Sequence, residues 1–454
     1  MAYSDSGYRK LLEDIFNRFP SVGKAGFSSG AYKPGLEHMV SFAGRLGNPE
    51  RKYLTIHIAG TNGKGSVASM LASALSASGL RTGLYTSPHL LDWRERMKVI
   101  RPDGNPPEMV PKEYAWEFLT SNRDYFDEAG LSFFEITTGL AFKWFADSGV
   151  DVAVIEAGLG GRLDSTNILS PVLTVITGIG LDHCELLGDT LDKIAAEKAG
   201  IMSPGVPCIV GESNPETDPV FVEHSWMKCP LYFADRMKPS LWHRHKEILR
   251  SMDLHGEYQQ VNLRTAMAAI DILSQMAAFH GLLDQKTVES ALECTAAATQ
   301  FRGRWEKLSD VPPVLCDIGH NPPALRWNFS QLSEMVNKGL YSSLIIVYGV
   351  MADKDLASVL PMMPKDATYV FTAADTPRAL PADKILKAYL AAGGSSQRAY
   401  VSESVRDAIR MAMTLSHNMS QQTNRSASAA KPVPPLVFIG GSAYVVAEAL
   451  PMFG

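Results

Sequence analysis

The chain has 454 residues, 46% hydrophobic and 20% charged, with a formal net charge of −5. That length exceeds one ordinary hydrophobic core and predicts a globular protein of two or three domains. The negative balance gives no general attraction for nucleic acid or an anionic membrane, so any anion must be held by local groups.

Cys184, Cys208, Cys229, Cys294 and Cys316 are scattered and free of C-x-x-C spacing, which fits small core residues in a reducing compartment. Asp5, Glu13 and Asp14 interleave with Leu11, Leu12, Ile15, Phe16 and Phe19, a helix pattern and not a signal peptide. No apolar run reaches the roughly 18–20 residues of a membrane span, so a cytoplasmic protein is expected. Residues 27–39 read as a glycine-rich loop leading into an amphipathic helix through Met39, Val40, Phe42 and Leu46.

The next stretch, YLTIHIAGTNGKGSVASMLASALSAS (53–78), organises the rest. Leu54, Ile56 and Ile58 predict a strand, Gly60, Gly63 and Gly65 a turn, and Val67, Met70, Leu71, Ala74 and Leu75 an amphipathic helix. Glycines let the backbone curl so that successive N–H groups point inward, and the helix N-terminus adds partial positive charge. Asn62, Gly63, Lys64, Gly65 and Ser66 thus form a candidate phosphate site. Lys64 supplies a full charge, and the Ser66 hydroxyl can reach a phosphate oxygen or its Mg²⁺. The spacing departs from G-x-x-x-x-G-K-[ST] because Gly65 stands between the lysine and the serine.

RTGLYTSPHLLDWRERMKV (81–99) predicts a short strand ending in Thr86-Ser87-Pro88-His89, on the same sheet edge as the phosphate loop. A polar helix at 112–128 and a buried one at 131–147 follow. VDVAVIEAGLGGRLDSTN (150–167) is a nearly continuous apolar strand and then a glycine turn, which implies a parallel sheet covered by helices. Strands at 171–183 and 207–212 and a helix over 258–279 lead to FRGRWE (301–306). Strand–helix alternation restarts through 314–325, 343–350, 367–375 and 435–450, a second, smaller doubly wound domain. SHNMSQQTNRSASAAKPVPP (416–435) reads as a long, mobile surface loop.

Glu156 ends a strand that is otherwise apolar, where a carboxylate is costly unless paired, hydrogen-bonded or metal-bound. It is either in a salt bridge, with Arg162 nearby, or a Mg²⁺ ligand with Ser87 supplying another oxygen. His183 stands at the end of the following strand. Lys198 lies on a helix, and by pattern alone it is a solvated lysine paired with Glu197. Asp317, His320 and Asn321 share one strand-to-helix turn, either as an N-cap or as part of a site. Arg304, in a glycine-flanked turn, could hold phosphate bidentately or bridge domains. Two α/β domains with facing polar strand ends would make a cleft that closes on ATP.

GTNGKGS (60–66), TSPHL (86–90) with Glu95-Arg96, SFFE (132–135), EAGLGGRLDSTN (156–167) and LDHCELLGDT (181–190) resemble folylpolyglutamate synthase/dihydrofolate synthase. So do EKAGI (197–201), FRGRWE (301–306), GHNPPA (319–324) and GGSAYVVAE (440–448), in the family's order over nearly the whole chain. These enzymes are ATP-dependent amide ligases of the Mur-ligase superfamily. The resemblance implies an α/β fold with an N-terminal P-loop ATPase-type doubly wound domain, expected at 1–308, and a Rossmann-like C-terminal domain at 309–454. It places ATP on Asn62 to Ser66, Asn262, Arg304 and Asp317, with His320 close by. Ser87, Glu156 and His183 become Mg²⁺ ligands, and Lys198 a carbamylated lysine adding a carboxylate at a second ion. Pterin contacts fall on Ser132, Phe133, Phe134, Glu135, Leu163, Asp164 and Ser165. The expected catalytic residues are Lys64, Glu156, His183, Lys198 and His320.

The implied partners are L-glutamate and a folate or dihydropteroate, with no nucleic acid or membrane, and a monomer is expected. Tyr258-Gln259 stands where the family has His-Gln, and DIGHNP replaces D-G-A-H-N-P. Lys33-Pro34-Gly35 occupies a pterin-contacting position of members that use dihydropteroate, so it bears on the acceptor. One rival is a peptidoglycan-precursor ligase, for whose nucleotide-sugar domain a phosphate loop starting at Gly60 leaves little room. Another is a nucleotide-switched binding protein, which would need no second metal set.

Overall fold

The computed structural model describes residues 3–19, 35–226, 229–426 and 433–454, with the side chains of 422–426 left aside. Lys33, Pro34 and residues 427–432 lie outside them. The chain divides into two compact units, Met1–Asp253 with Gln259–Phe301, and Leu254–Tyr258 with Arg302–Gly454.

The first unit holds an eight-stranded sheet: β1 (Leu54–Ala59), β2 (Thr82–Tyr85), β3 (Met97–Ile100), β4 (Glu108–Met109), β5 (Val152–Glu156), β6 (Leu173–Ile176), β7 (Cys208–Val210) and β8 (Leu231–Phe233). Their order is β4-β3-β2-β5-β1-β6-β7-β8. The six strands from β2 to β8 are parallel, whereas β3 and β4 add an antiparallel edge that the sequence pattern does not reveal. Every residue of β2, β5 and β6 is buried, as expected for a parallel sheet covered on both faces. β5 and β6 flank β1 on opposite sides, so the chain crosses over β1 between them. Such a switch point opens a crevice at the carboxyl ends of the strands. Register pairs Ile58 with Glu156 and Ala59 with Ile176, which brings the loops after all three strands to one edge.

The helix Lys64–Ala77 is buried continuously from Gly65 to Ser76, all round and not on one face as its apolar spacing alone implied. Its small Ala and Ser residues allow this. Ser73 Oγ, for example, donates to Ala291 O at 2.8 Å instead of facing water.

The second unit holds a six-stranded sheet: β9 (Glu306–Asp310), β10 (Pro313–Asp317), β11 (Leu344–Tyr348), β12 (Thr368–Phe371), β13 (Ala399–Val401) and β14 (Leu436–Gly440). The order is β13-β12-β11-β14-β10-β9, parallel except for β9. The boundary expected between 308 and 309 falls inside β9. Residues 416–426 correct the expected loop: the helix Val405–Ser426 runs through them. Val405, Ala408, Ile409 and Ala412 bury its first half. A helix already nucleated by tertiary packing extends at little cost into a polar segment. Among the described residues no helix is long and apolar enough to cross a membrane, and none of the five cysteines forms a disulfide.

Candidate active site

The phosphate loop leaves β1 and enters the helix Lys64–Ala77, as its sequence implies. Gly63 has φ +90, and a Cβ there would lie 2.2 Å from Asn262 Oδ1. A Cβ on Gly65 would meet the Phe301 ring at 3.0 Å and Glu156 Oε2 at 3.4 Å. The unusual glycine between lysine and serine is therefore where an aromatic ring and a carboxylate close on the helix. The loop is pinned from β6: Thr61 N donates to Gly178 O at 2.8 Å, and Thr177 Oγ1 donates to Asn62 O at 2.6 Å.

Lys64 Nζ donates to Gly60 O at 3.1 Å and Thr61 O at 3.3 Å, and stands 3.9 Å from Glu156 Oε1. Glu156 is only 3% exposed, and its Oε2 accepts from Ser87 N at 3.1 Å. Its cationic neighbour is thus Lys64, while Arg162 pairs with Glu197 at 2.7 Å on the surface. Lys198 is not a solvated lysine held by Glu197. It is 3% exposed, and its Nζ donates to Gly60 O at 2.9 Å. Burial, and then the charge of Lys64, push its ammonium down to about 7. Two amines therefore converge on one carbonyl, Lys64 with Glu156 beside it, an arrangement suited to an anion.

His183 has φ +53 and starts the short helix Cys184–Leu187, with Nε2 3.9 Å from Asp182 Oδ1. Among the described residues no three His, Cys, Asp or Glu side chains gather as a metal cage. Mg²⁺ rarely uses such a cage. It keeps several waters and takes one or two carboxylates plus phosphate oxygens, a role open to Glu156, whose Oε2 accepts from the backbone N–H of Ser87.

The residues expected to hold a pterin divide. Ser132 and Glu135 form a capping box on the helix Phe133–Asp147, with Ser132 N donating to Glu135 Oε2 at 2.7 Å and Glu135 N to Ser132 Oγ at 3.2 Å. Phe133 is core, whereas Phe134 is half-buried and lies against Gly158. Asp164 is buried, accepting from Leu159 N at 2.8 Å, Thr166 N at 3.0 Å and Thr166 Oγ1 at 2.5 Å. Ser165 is buried and Leu163 half-buried. Ser132, Glu135 and Asp164 hold nearby backbone, whereas Phe134 and Leu163 keep accessible surface.

In the second unit, Asp317 is 2% exposed. It accepts four hydrogen bonds: Trp305 N at 2.9 Å, Tyr258 Oη at 2.6 Å, Gly319 N at 2.7 Å and Asn328 Nδ2 at 2.8 Å. A carboxylate has about four lone-pair sites, so this one serves as the hub of the β10 turn. Tyr258, standing where the family has histidine, is one of its donors. The Arg304 charge acts on that phenol, and half-buried His320 places Nδ1 3.0 Å from Ile318 O. Asn321 is the N-cap of the helix Pro322–Asn337, its Oδ1 accepting from Ala324 N at 3.1 Å.

Four contributors have roles that sequence reasoning did not assign. Gln259 donates to Ser66 Oγ at 3.3 Å. Its signals are its place in Tyr258-Gln259, where the family has His-Gln, and its spacing of three from Asn262 on one helix face, and neither points to Ser66. Thr61 and Thr177 carry no signal beyond their strand-end positions. His57, wholly buried on β1, reaches Thr166 Oγ1 from Nε2 at 2.8 Å, and burial pushes its imidazole down to about 3, so it is neutral.

Residues 58–210 match the Mur ligase middle domain, and residues 303–420 the Mur ligase, glutamate ligase domain. The chain is 32% identical over 409 residues to the dihydrofolate synthase/folylpolyglutamate synthase of Mycobacterium tuberculosis, covering 84% of this chain and 82% of that one. A structure of Mycobacterium tuberculosis folylpolyglutamate synthase complexed with ADP superposes with a TM-score of 0.81 at 28% identity, over 99% of this chain and 98% of that one. A bifunctional folylpolyglutamate synthase/dihydrofolate synthase with Mn, AMPPNP and L-glutamate bound gives 0.74 at 25% identity, over 93% and 94%. At 32% identity to the first of these relatives, over more than four fifths of both chains, the chain belongs to the folylpolyglutamate synthase/dihydrofolate synthase family of Mur ligases.

Proposed function

We propose that the chain joins the amino group of L-glutamate to the carboxylate of a pterin substrate, coupled to cleavage of ATP to ADP and phosphate. The carboxylate takes the γ-phosphoryl group, the glutamate amine attacks the resulting acyl phosphate, and the tetrahedral adduct collapses to amide and phosphate. The observation that carries this reading is the convergence of Lys64 and Lys198 on Gly60 O beside Glu156, at the carboxyl ends of β1 and β5.

Lys64 is positioned to exchange its two loop carbonyls for phosphoryl oxygens as charge builds on them. The N–H groups from Asn62 to Ser66, at a helix N-terminus, cradle the remaining phosphates. Ser87, Glu156 and His183 are the residues that would hold Mg²⁺, which when bound neutralises phosphate charge and orients the transferred group. Asn262 and, in the second unit, Arg304 and His320 are candidates for the nucleotide, whereas Asp317 acts by fixing the turn that carries them. Phe134 and Leu163 offer the apolar surface for the pterin.

Lys198 is proposed to react with CO₂. Its neutral amine adds to the carbon and loses a proton, and the buried cation becomes an anionic carbamate. Only the neutral form reacts. With the amine titrating at about 7, roughly half is competent at pH 7 and about a tenth at pH 6. Enzyme stripped of CO₂ at pH 6 is therefore expected to lose activity and to regain it on adding bicarbonate at pH 8. Activity indifferent to bicarbonate at both values would contradict carbamylation.

The acceptor is tested by measuring ADP release with Mg-ATP and L-glutamate, offering dihydropteroate and tetrahydrofolate separately. Turnover with both is the expected result for a bifunctional enzyme, and turnover with tetrahydrofolate alone restricts it to chain extension. No turnover with either would overturn the pterin reading.

A further inference from the structure

Gln259 opens the helix Gln259–Ser274, is 0% exposed, and uses both ends of its amide. Its Oε1 accepts from Asn262 Nδ2 at 2.8 Å, and its Nε2 donates to Ser66 Oγ at 3.3 Å. At the far end of this relay Asn262 presents Nδ2 to Gln259, with its Oδ1 on the side of Gly63, so Gln259 accepts at one end of its amide and donates at the other. Gln259 therefore meets Ser66 as a donor. A serine inside a helix ordinarily sends its own proton back to the carbonyl four residues earlier. For Ser66 that carbonyl belongs to Asn62, where Thr177 Oγ1 already donates at 2.6 Å. The carbonyl three residues earlier, on Gly63, takes Val67 N at 2.9 Å. Among the described residues, Ser66 Oγ has its hydrogen bond from Gln259 and none to its own helix.

We infer that Gln259 is a positioning residue that fixes the polarity of the Ser66 hydroxyl. It fills a lone pair on the buried side while Thr177 occupies the competing acceptor, so the Ser66 proton is aimed at the phosphate site as a donor. The inference rests on the reading of Gly60 to Ser66 as the ATP site. It assigns to two residues outside the glycine loop, one on a distant helix and one just after β6, the job of preorganising a hydroxyl within it. Preorganised donors need no reorientation when the anion arrives.

The test is a double-mutant cycle on ADP affinity, measured calorimetrically on the full chain with Gln259→Met, Ser66→Ala and the two combined. Each single change is expected to weaken ADP binding about tenfold, the loss of one hydrogen bond to a charged group. The combined change is expected to be no weaker than the worse single one within about twofold, because Gln259 acts only through Ser66. A merely structural role for Gln259 predicts additive losses of about 100-fold, and that result would overturn the inference.

Gln259→Glu, nearly isosteric, keeps the acceptor for Asn262 but presents an oxygen to Ser66 and draws its proton inward. It is expected to bind ADP at least as weakly as Gln259→Met. Wild-type affinity in this variant would equally overturn the inference, and the variant carries the test alone if methionine at 259 prevents folding. Failure of the unsubstituted chain to bind ADP would instead defeat the reading of the loop.

Discussion

Lys64→Ala is expected to lower ADP formation by at least about 10³-fold, while the circular dichroism spectrum stays that of the unsubstituted protein. Lys64 lies 3.9 Å from Glu156 and sits where the glycine loop turns into its helix. A lysine at this place does its work when negative charge builds on a transferred phosphoryl group, so its loss falls on turnover. The loop itself does not depend on it. Thr61 and Thr177 tie 61 and 62 to β6, and the helix behind is buried along nearly its whole length. A folded Lys64→Ala protein that still forms ADP at a comparable rate would remove the basis for placing phosphoryl transfer here.

Glu156→Gln is the second large effect, a loss of more than about 100-fold in turnover and of divalent-ion affinity in the presence of ADP. Glutamine has the same size, and its Oε1 can still accept from Ser87 N, so the strand end keeps its shape. What disappears is the negative charge. No cluster of three acidic, histidine or cysteine side chains is available among the described residues to replace it. Titrating Mn²⁺ into the ADP-saturated variant and following the free-ion electron-spin signal reads the loss directly. Unchanged half-saturation would mean that Glu156 is a structural carboxylate paired with Lys64 and nothing more.

The parts of this site that are legible in the sequence are those made by contiguous residues. Leu54 to Leu75 contains its own strand, turn and helix signals, so the phosphate loop could be placed without knowing anything distant. Glu156 was legible because a carboxylate in an apolar run is costly wherever the run lies. Its partner was not. Choosing Lys64 over Arg162 needs the register of β1 against β5, which no local pattern encodes. Lys198 has the sequence surroundings of an ordinary helix-surface lysine, and its burial comes from where that helix packs. The Asp317 turn reads by pattern as an N-cap or part of a site, and the resemblance alone makes Asp317 a nucleotide contact. Its four donors, Trp305 N, Gly319 N, Asn328 Nδ2 and the phenol of Tyr258, come from four separate places in the chain.

The fold shows the same division. Strands buried on both faces announced themselves, whereas β3, β4 and β9 lie at sheet edges, antiparallel and short or polar, and gave no run long enough to read. The helix through Ser426 went unread for the opposite reason. Its apolar anchors, Val405 to Ala412, precede the polar stretch that composition alone assigns to a loop. Gln259 illustrates the limit most clearly: a buried amide that matters only through a serine 193 residues away cannot be recognised until both are seen together.

The central claim, that a carboxylate is activated by phosphorylation before glutamate attacks it, is tested most directly by labelling. The pterin acceptor is prepared with ¹⁸O in its reacting carboxylate and turned over with Mg-ATP and L-glutamate, and the released phosphate and the product are weighed by mass spectrometry. An acyl phosphate requires one labelled oxygen to leave in phosphate for every amide formed, with ADP released in equal amount. Amide formed with unlabelled phosphate, or ADP released without labelled phosphate or glutamylated product, would contradict it.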